Sequence, residues 1–529
     1  MNHSIIRTAV VSAALLLLVS ACAGASKPGP NSQAVDANGT FKLNLATDPG
    51  TISPYKTTLG GARQVFKFGY DTLVSQTPDG KTVPYLAEKW TVTPSEVTYT
   101  LRKGIKCDDG TDLKASDVAA AFDNIKGPKT LSPWRSLTVP FDYSVSANDP
   151  NRTVSIKTAK PFGMLARGAG SLAIVCPSGL SNADSLDHNF GGTGAYTVKE
   201  YVAGDHYTFE KRPDYNWGPN GATTADMPKT IVVAFVANES TSASQLLTGE
   251  INAAQITGPD RARLEKAAGI KKVDVPQIQA ELDLNEAAGR PLADTAVRKA
   301  LAASLDRKAV TQIVTEGRGT VTKNLVALTP VLCPGDETTG ALPDYNLEGA
   351  KRILDDAGWR LSSGSDVRSK DGKTLQLTAI YKPEGTPPAS AMEYVANQWK
   401  KIGVGTTLVA VTNTAFSERM YTTMNYDVSY TYLNLEMPFM MTAFHGGPTP
   451  TEHGRNSGST ENAKFNSLSA EALASEGDAC DLWKAAHVAL LKSVDVIPLA
   501  AGSRPFYVRG GELTAVGLHA IPTSFRLYK

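Results

Sequence analysis

Hydrophobic and polar positions change period along this chain in a way that marks out its elements. Val97, Tyr99 and Leu101 alternate with Thr98, Thr100 and Arg102, the two-residue period of a strand with one buried face. Phe41, Leu43 and Leu45 repeat that alternation near the start. Ile231 to Val236 is a continuous apolar run of the kind a doubly covered strand carries. Between these strands the period lengthens. Val118, Ala121, Phe122 and Ile125 recur at helical spacing, after a turn at Asp109-Gly110 and before a stop at Gly127-Pro128. The stretch Pro291 to Val310 predicts two helices in series. Asp294 caps the first over Val297, Ala300 and Leu301, and Asp306 caps the second over Val310, Ile313 and Val314. Asn346 to Gly358 predicts another capped helix, with Ala350, Ile353 and Leu354 on one face. Strands at Leu375 to Tyr381 and Thr407 to Val411 flank a helix around Ala391 to Ile402, and Cys480 to Val494 is helical. That alternation predicts an α/β protein with layered sheets.

The first residues follow another pattern. Arg7 precedes an apolar run from Thr8 to Val19 that is too short for a membrane span and ends in Val19-Ser20-Ala21-Cys22. Small residues before Cys resemble a bacterial lipobox. Residues 1–21 are then a signal peptide and Cys22 a lipidation site, with an ordinary signal peptide cut near Ala23 as the alternative. Residues 22–39, rich in Gly, Pro, Ser and Asn, predict a flexible tether. The expected location is therefore the outer face of the cytoplasmic membrane, at the cell surface or in the periplasm, held by lipid alone. Lys and Arg number 53 against 52 Asp and Glu, so the chain has no basic field and no nucleic-acid partner is expected. With 42% hydrophobic and 20% charged residues it is an ordinary globular chain, long enough for more than one core.

Tyr70 to Ile125 carries "YDTLV", then "YLAEKW", then "YTLRKGIKCDDGTDLKASDVAAAF". This order resembles the signature region of extracytoplasmic solute-binding proteins of the peptide/nickel class, which feed ABC importers. Further along, "GGTGAY" at 191–196, "YVAGDHYTFEKRPDYNWG" at 201–218, "PLADTAVRKALAASLDRKAV" at 291–310 and Val496-Ile497-Pro498-Leu499 match the same family in order. Where the family caps its helix with Thr, Lys114 stands here, so the capping hydroxyl is missing or moved to Ser116. Gly192-Thr193-Gly194 lacks the spacing of a phosphate loop and reads as a turn into a strand.

The resemblance implies a two-lobe periplasmic-binding-protein-like α/β fold with an extra subdomain. It divides the chain into lobe I at 40–280, with a subdomain at roughly 65–185, lobe II at 281–495, and a return to lobe I at 496–529. Two crossings near Ile278 to Glu286 and Val494 to Ser503 join lobes that close by hinge bending over a ligand. The expected partners are a peptide or other small solute and the permease subunits of an ABC importer. The chain is expected to be a monomer with no cofactor and no metal. The resemblance also selects site residues. In Tyr426 to Phe439, Asn434 stands near the place where the family has an acidic partner for the ligand's α-ammonium group, and Glu436 two residues on could substitute. Tyr430 and Tyr432 share a strand face and either stack on a ligand or belong to the core. Arg504 and Tyr507 follow the second crossing, as a carboxylate partner and a cleft aromatic.

Besides Cys22 there are four cysteines, and in an oxidising compartment four allow three pairings. The family's division into lobes favours Cys107 with Cys176 and Cys333 with Cys480, because a bridge between lobes would hinder the hinge. No HExxH, GxSxG or P-loop spacing is present, which speaks against an enzyme. His445 and His453 lie in a Gly- and Thr-rich loop and read as solvated rather than as metal ligands. The function this implies is a membrane-anchored receptor that captures oligopeptides or dipeptides for an importer. An oligosaccharide or other non-peptide solute, a nickel chelate, and a sensory role are the alternatives.

Overall fold

Thr40–Leu45 is the strand on which the first lobe is built, with Phe41 and Leu43 fully buried. In the computed structural model, which describes residues 34–127, 132–134, 137–140, 142–383 and 387–529, it lies inside a seven-stranded sheet. It pairs in parallel with Thr230–Phe235 on one side and Ala253–Gln255 on the other. His206–Lys211 and Tyr196–Val202 extend one edge, while Phe506–Arg509 and Ile270–Val273 form the other. A six-stranded sheet forms the second lobe, in the order Thr320–Val321, Val496–Ser503, Pro276–Leu284, Val428–Thr431, Gln376–Tyr381, Gly405–Ala410. The last two are parallel and joined by the helix Pro387–Lys400, the βαβ unit that the apolar spacing predicts. Ala87–Thr93, Glu96–Leu101, Thr153–Thr158 and Tyr143–Asn148 make a separate four-stranded sheet. The helix Ala115–Lys126 packs on it through Val118, Ala121, Phe122 and Ile125. The architecture is the two-lobe fold with an added subdomain.

The crossings differ from the boundaries expected from sequence. Pro276–Leu284 and Val496–Ser503 pair with each other from Pro276 opposite Ser503 to Asp283 opposite Val496, all within the second sheet. The chain therefore changes lobe at Asp274-Val275 and at Arg504-Pro505, not near 280 and 495. An apolar run announces a strand without saying which sheet it joins. The two crossings are tied together. Arg504 N–H donates to Val275 O (3.1 Å) and Val275 N–H to Ser503 Oγ (3.0 Å), and that hydroxyl donates to Asp274 Oδ1 (2.8 Å).

The helix cap also differs. Asp117 accepts from Lys114 N–H (2.8 Å) at the start of Ala115–Lys126, while Ser116 donates from its N–H and hydroxyl to Asp149. The hydroxyl is used on a neighbouring loop, and a carboxylate one residue on takes the orphan donor. The glycine run at 191–194 meets the backbone of Gly69: a Cβ on Gly194 would fall 2.3 Å from Gly69 C. Close packing of two chain segments, not a phosphate, requires glycine there.

Cys107 and Cys176 lie with sulfurs 2.03 Å apart, and Cys333 and Cys480 with sulfurs 2.06 Å apart. Each pair stays within one lobe. The signal run, Cys22 and residues up to Gln33 lie outside the described residues. The end of the segment read as a tether is pinned: Asp36 N–H donates to Leu527 O (2.7 Å) and Lys529 N–H to Ala34 O (2.9 Å). No helix among the described residues is long and apolar enough to cross a membrane.

Candidate functional site

The two lobes meet along a seam seeded by the short helix Gly60–Phe66. Ala62, Val65 and Phe66 bury its inner face, and the Gln64 side chain clamps it to the C-terminal turn. Gln64 Nε2 donates to Ala520 O (3.2 Å) and Oε1 accepts from Ala520 N–H (2.7 Å). This leaves Arg63 facing the second lobe, where its Nη2 pairs with Glu436 Oε1 at 2.5 Å. The Arg63 guanidinium also sits 5.1 Å from the centre of the Trp134 ring, whose Nε1 is held by Thr57 O (3.1 Å).

Three further contacts close the seam. Phe162 meets Phe439 edge-on at 4.8 Å, Gly163 N–H donates to Leu473 O (2.7 Å), and Gly517 N–H donates to Thr329 O (2.7 Å). A Cβ on Gly163 would stand 2.3 Å from Ser475 O, so the lobes approach this closely only with glycine there.

Charge at the seam is uneven. Burial alone would raise the Glu436 carboxyl, but Arg63 and Lys67 outweigh it and hold it below the usual carboxylate range. Lys67, one residue past the helix, is lowered to about 8, first by burial and then by repulsion from Arg63, with Glu436 opposing. His519 is pushed well below the ordinary imidazole value by burial and by the same two cations, and so is neutral. Against these groups lies a cavity of about 70 Å³ whose walls include Arg63, Phe66, Lys67, Tyr85, Trp134 and Leu172.

Behind it the Asp71 carboxylate accepts from Tyr85, Thr193 (3.0 Å) and Trp217 Nε1 (3.0 Å), with burial raising its pKa and these bonds opposing. This network stiffens the wall that Tyr85 contributes.

The residues expected at the site are not gathered in one place. Glu436 is at the seam, but as the partner of Arg63. Asn434 gives its whole amide to the backbone of the hinge strand: Oδ1 accepts from Ile278 N–H (2.9 Å) and Nδ2 donates to Ile278 O (3.1 Å). Tyr430 is buried in the second lobe with its hydroxyl donating to Gln279 O (3.2 Å). Tyr432 is half-buried, with Lys382 Nζ 5.4 Å from its ring centre. Arg504 forms the second crossing, its Nε buried without a hydrogen-bond partner among the described residues.

Tyr507 is away from the cleft, fully buried in a small core with Ala254, Ile256 and Leu264, its hydroxyl donating to Glu265 Oε1 (2.9 Å). Strand alternation turns it outward from the crossing toward that core. His445 is buried and His453 exposed. Burial and then His487 lower His445 to about 4, and among the described residues no three His, Cys, Asp or Glu gather as for a metal. Arg63, Lys67 and Trp134 were not legible as site residues. Only the basic pair at i, i+4 hinted at them, and such a pair is ordinarily a solvated face.

Two lobes linked by paired crossings, with a charged seam beside a cavity walled by the first lobe, give the plan of the molecule. Comparison with known proteins gives the family. The profile of the bacterial extracellular solute-binding proteins, family 5, middle region, matches residues 81–453, and the chain belongs to that family. It is 28% identical over 428 residues to Protein XP55 of Streptomyces lividans, covering 79% of this chain and 75% of that protein. It is 24% identical over 375 residues to the nickel-binding periplasmic protein of Escherichia coli, covering 68% and 70%. A substrate binding protein from Microbacterium hydrocarbonoxydans, complexed with 4-hydroxybenzoate hydrazide, superposes with TM-score 0.76 at 24% identity over 93% of this chain and 100% of that one. The oligopeptide-binding protein AppA of Bacillus subtilis, with a nonapeptide, gives 0.77 at 20% identity over 94% and 100%.

Proposed function

We propose that this chain is the receptor of an ABC importer, anchored through a lipid on Cys22, stapled by the Cys107–Cys176 and Cys333–Cys480 disulfides, and acting as a monomer. It captures a small solute of the peptide class between its lobes and hands it to the permease. It performs no catalysis. The observation that carries this reading is the seam: Arg63, which pairs with Glu436 of the other lobe, also lines a cavity whose walls come from the first lobe, so closing the lobes fixes a side chain of that cavity. A ligand shifts that closing equilibrium only by its differential affinity for the two forms. Relatives named as a dipeptide-binding protein and as an oligopeptide-binding protein support the solute class.

One observation favours a second reading. Asn434 is committed to Ile278 and Glu436 to Arg63, so neither is free to hold an ammonium group. A solute without a free amine, such as an N-blocked peptide, an oligosaccharide or a nickel chelate, then competes with a free-amine peptide.

The test is a thermal-shift panel on the exported chain with free-amine peptides, N-acetylated peptides, oligosaccharides and nickel chelates. A solute at a hundred times its Kd adds about 2.7 kcal/mol and a readable shift. Stabilisation by any of these supports a receptor, and which one responds chooses between the readings. Silence across all four classes sinks it.

A further inference from the structure

We propose that the cavity beside the helix Gly60–Phe66 is an anion subsite that takes a carboxylate group of the solute, with Lys67 and Arg63 as its cations. This rests on the receptor reading and deepens it.

The donors lining the cavity decide the chemistry. Among its hydroxyls, Tyr85 donates to Asp71, Thr72 to Val74 O and Ser171 to Gly168 O, so those protons are spent inside the protein. The two cations remain, with the Tyr70 and Ser75 hydroxyls beside them. The Lys67 backbone N–H donates to Arg63 O (3.2 Å), but its ammonium has no hydrogen-bond or ion-pair partner among the described residues. Arg63 uses Nη2 on Glu436 but leaves Nε buried and without a partner. Buried donors without acceptors are costly, and an occupant that accepts hydrogen bonds relieves the cost.

Charge points the same way. From the helix side come Arg63 and Lys67, from the second lobe Glu436, and from the C-terminal turn a neutral His519. At the seam two cations face one carboxylate, which leaves one net positive charge there, while the Asp71 carboxylate behind Tyr85 is taken up by Tyr85, Thr193 and Trp217. Phe66, Trp134, Leu172 and Ile521 supply apolar wall beside the cations. In such surroundings a charge-assisted hydrogen bond to a carboxylate is at its strongest.

Size narrows the class. An apolar cavity of about 150 Å³ accepts benzene. The 70 Å³ found here suits a carboxylate with two or three carbons, not an aromatic body. The group bound is therefore the carboxylate end of the solute, whether a peptide C-terminus or a small non-peptide acid.

Isothermal titration on the exported chain tests this with propionate and its isostere propionamide, and with Gly-Gly and Gly-Gly amide. At pH 7 propionate is expected to bind about tenfold or more tighter than propionamide. Lys67→Met is expected to erase most of that difference while melting no lower than the parent, since it removes a desolvated cation. Binding measured in buffers of different ionisation heat is expected to show proton uptake near pH 8, where Lys67 titrates. Loss of Gly-Gly binding on amidation identifies the peptide C-terminus as the source. Propionate binding with Gly-Gly silent identifies a non-peptide acid. Equal binding of propionate and propionamide, or an unchanged propionate Kd in Lys67→Met, overturns the subsite. If peptides or sugars still bind in that case, the receptor reading survives alone; if no solute binds at all, both fall.

Discussion

Replacing Glu436 by Gln keeps the shape of the seam and removes one charge from it. The side chains of Arg63 and Glu436 are 13% and 29% exposed, so the pair lies between a surface ion pair and a buried one. Exposed pairs are worth about 0.2–1 kcal/mol, and breaking a fully buried pair costs about 3–5 kcal/mol. Discounting for the remaining solvent gives about 1.5 kcal/mol, roughly a tenfold fall in the closed-to-open ratio. The second lobe keeps its own core in this variant, so the loss falls on closure and not on folding.

The assay is small-angle scattering of the ligand-free protein, which reads the mean lobe separation, combined with a double-mutant cycle using Arg63→Gln. A larger radius of gyration and a coupling energy near 1.5 kcal/mol are expected. An unchanged radius together with a coupling below about 0.3 kcal/mol would refute the latch. The pH dependence has a fixed sign. Glu436 is held below its ordinary value of 4.5, so its contribution is present above that value and disappears as pH falls through the lower, closed-state pKa.

Two further predictions concern the second lobe. Arg298 pairs with Glu286 (2.9 Å) and Asp495 (3.1 Å) where all three side chains are at most 10% exposed, so Arg298→Met should cost about 3–5 kcal/mol in urea unfolding. A loss under 1 kcal/mol would mean that the two carboxyls share a proton and need no cation. Asp283 is raised by burial to about 7 from 3.8, so its charge penalises the fold increasingly as pH climbs from the unfolded value through the folded one. Asp283→Asn should therefore stabilise the protein by roughly 2–4 kcal/mol at pH 8 and by little at pH 4, a difference that thermal melts at the two pH values would detect.

Local periodicity made much of the fold legible. The alternation of Val97, Tyr99 and Leu101 and the helical spacing of Val118 to Ile125 are short-range signals, and each matches its element. Sheet membership is not local. The strand Val496–Ser503 looked like a return to the first lobe until its pairing with Pro276–Leu284 placed it in the second.

The site was less legible for the same reason. Glu436 was noticed, but its partner Arg63 lies 373 positions earlier, and no spacing rule connects them. Asn434 was noticed for the charge it lacks, whereas its amide works as a substitute strand neighbour for Ile278. Lys67 reads as a surface lysine at a helix end, and only the wall of Trp134 and Leu172 turns it into a desolvated cation. Tyr507 shows the reverse error: it is near the crossing in sequence but turned into a separate core.

The most direct test of the central claim is the change in lobe separation on solute binding. Scattering curves of the exported chain would be recorded with and without a stabilising solute at a hundred times its Kd. The account predicts contraction to a single closed form, with Glu436→Gln needing more solute to reach it. A solute that binds and stabilises while the lobes keep their ligand-free separation would contradict capture by closure.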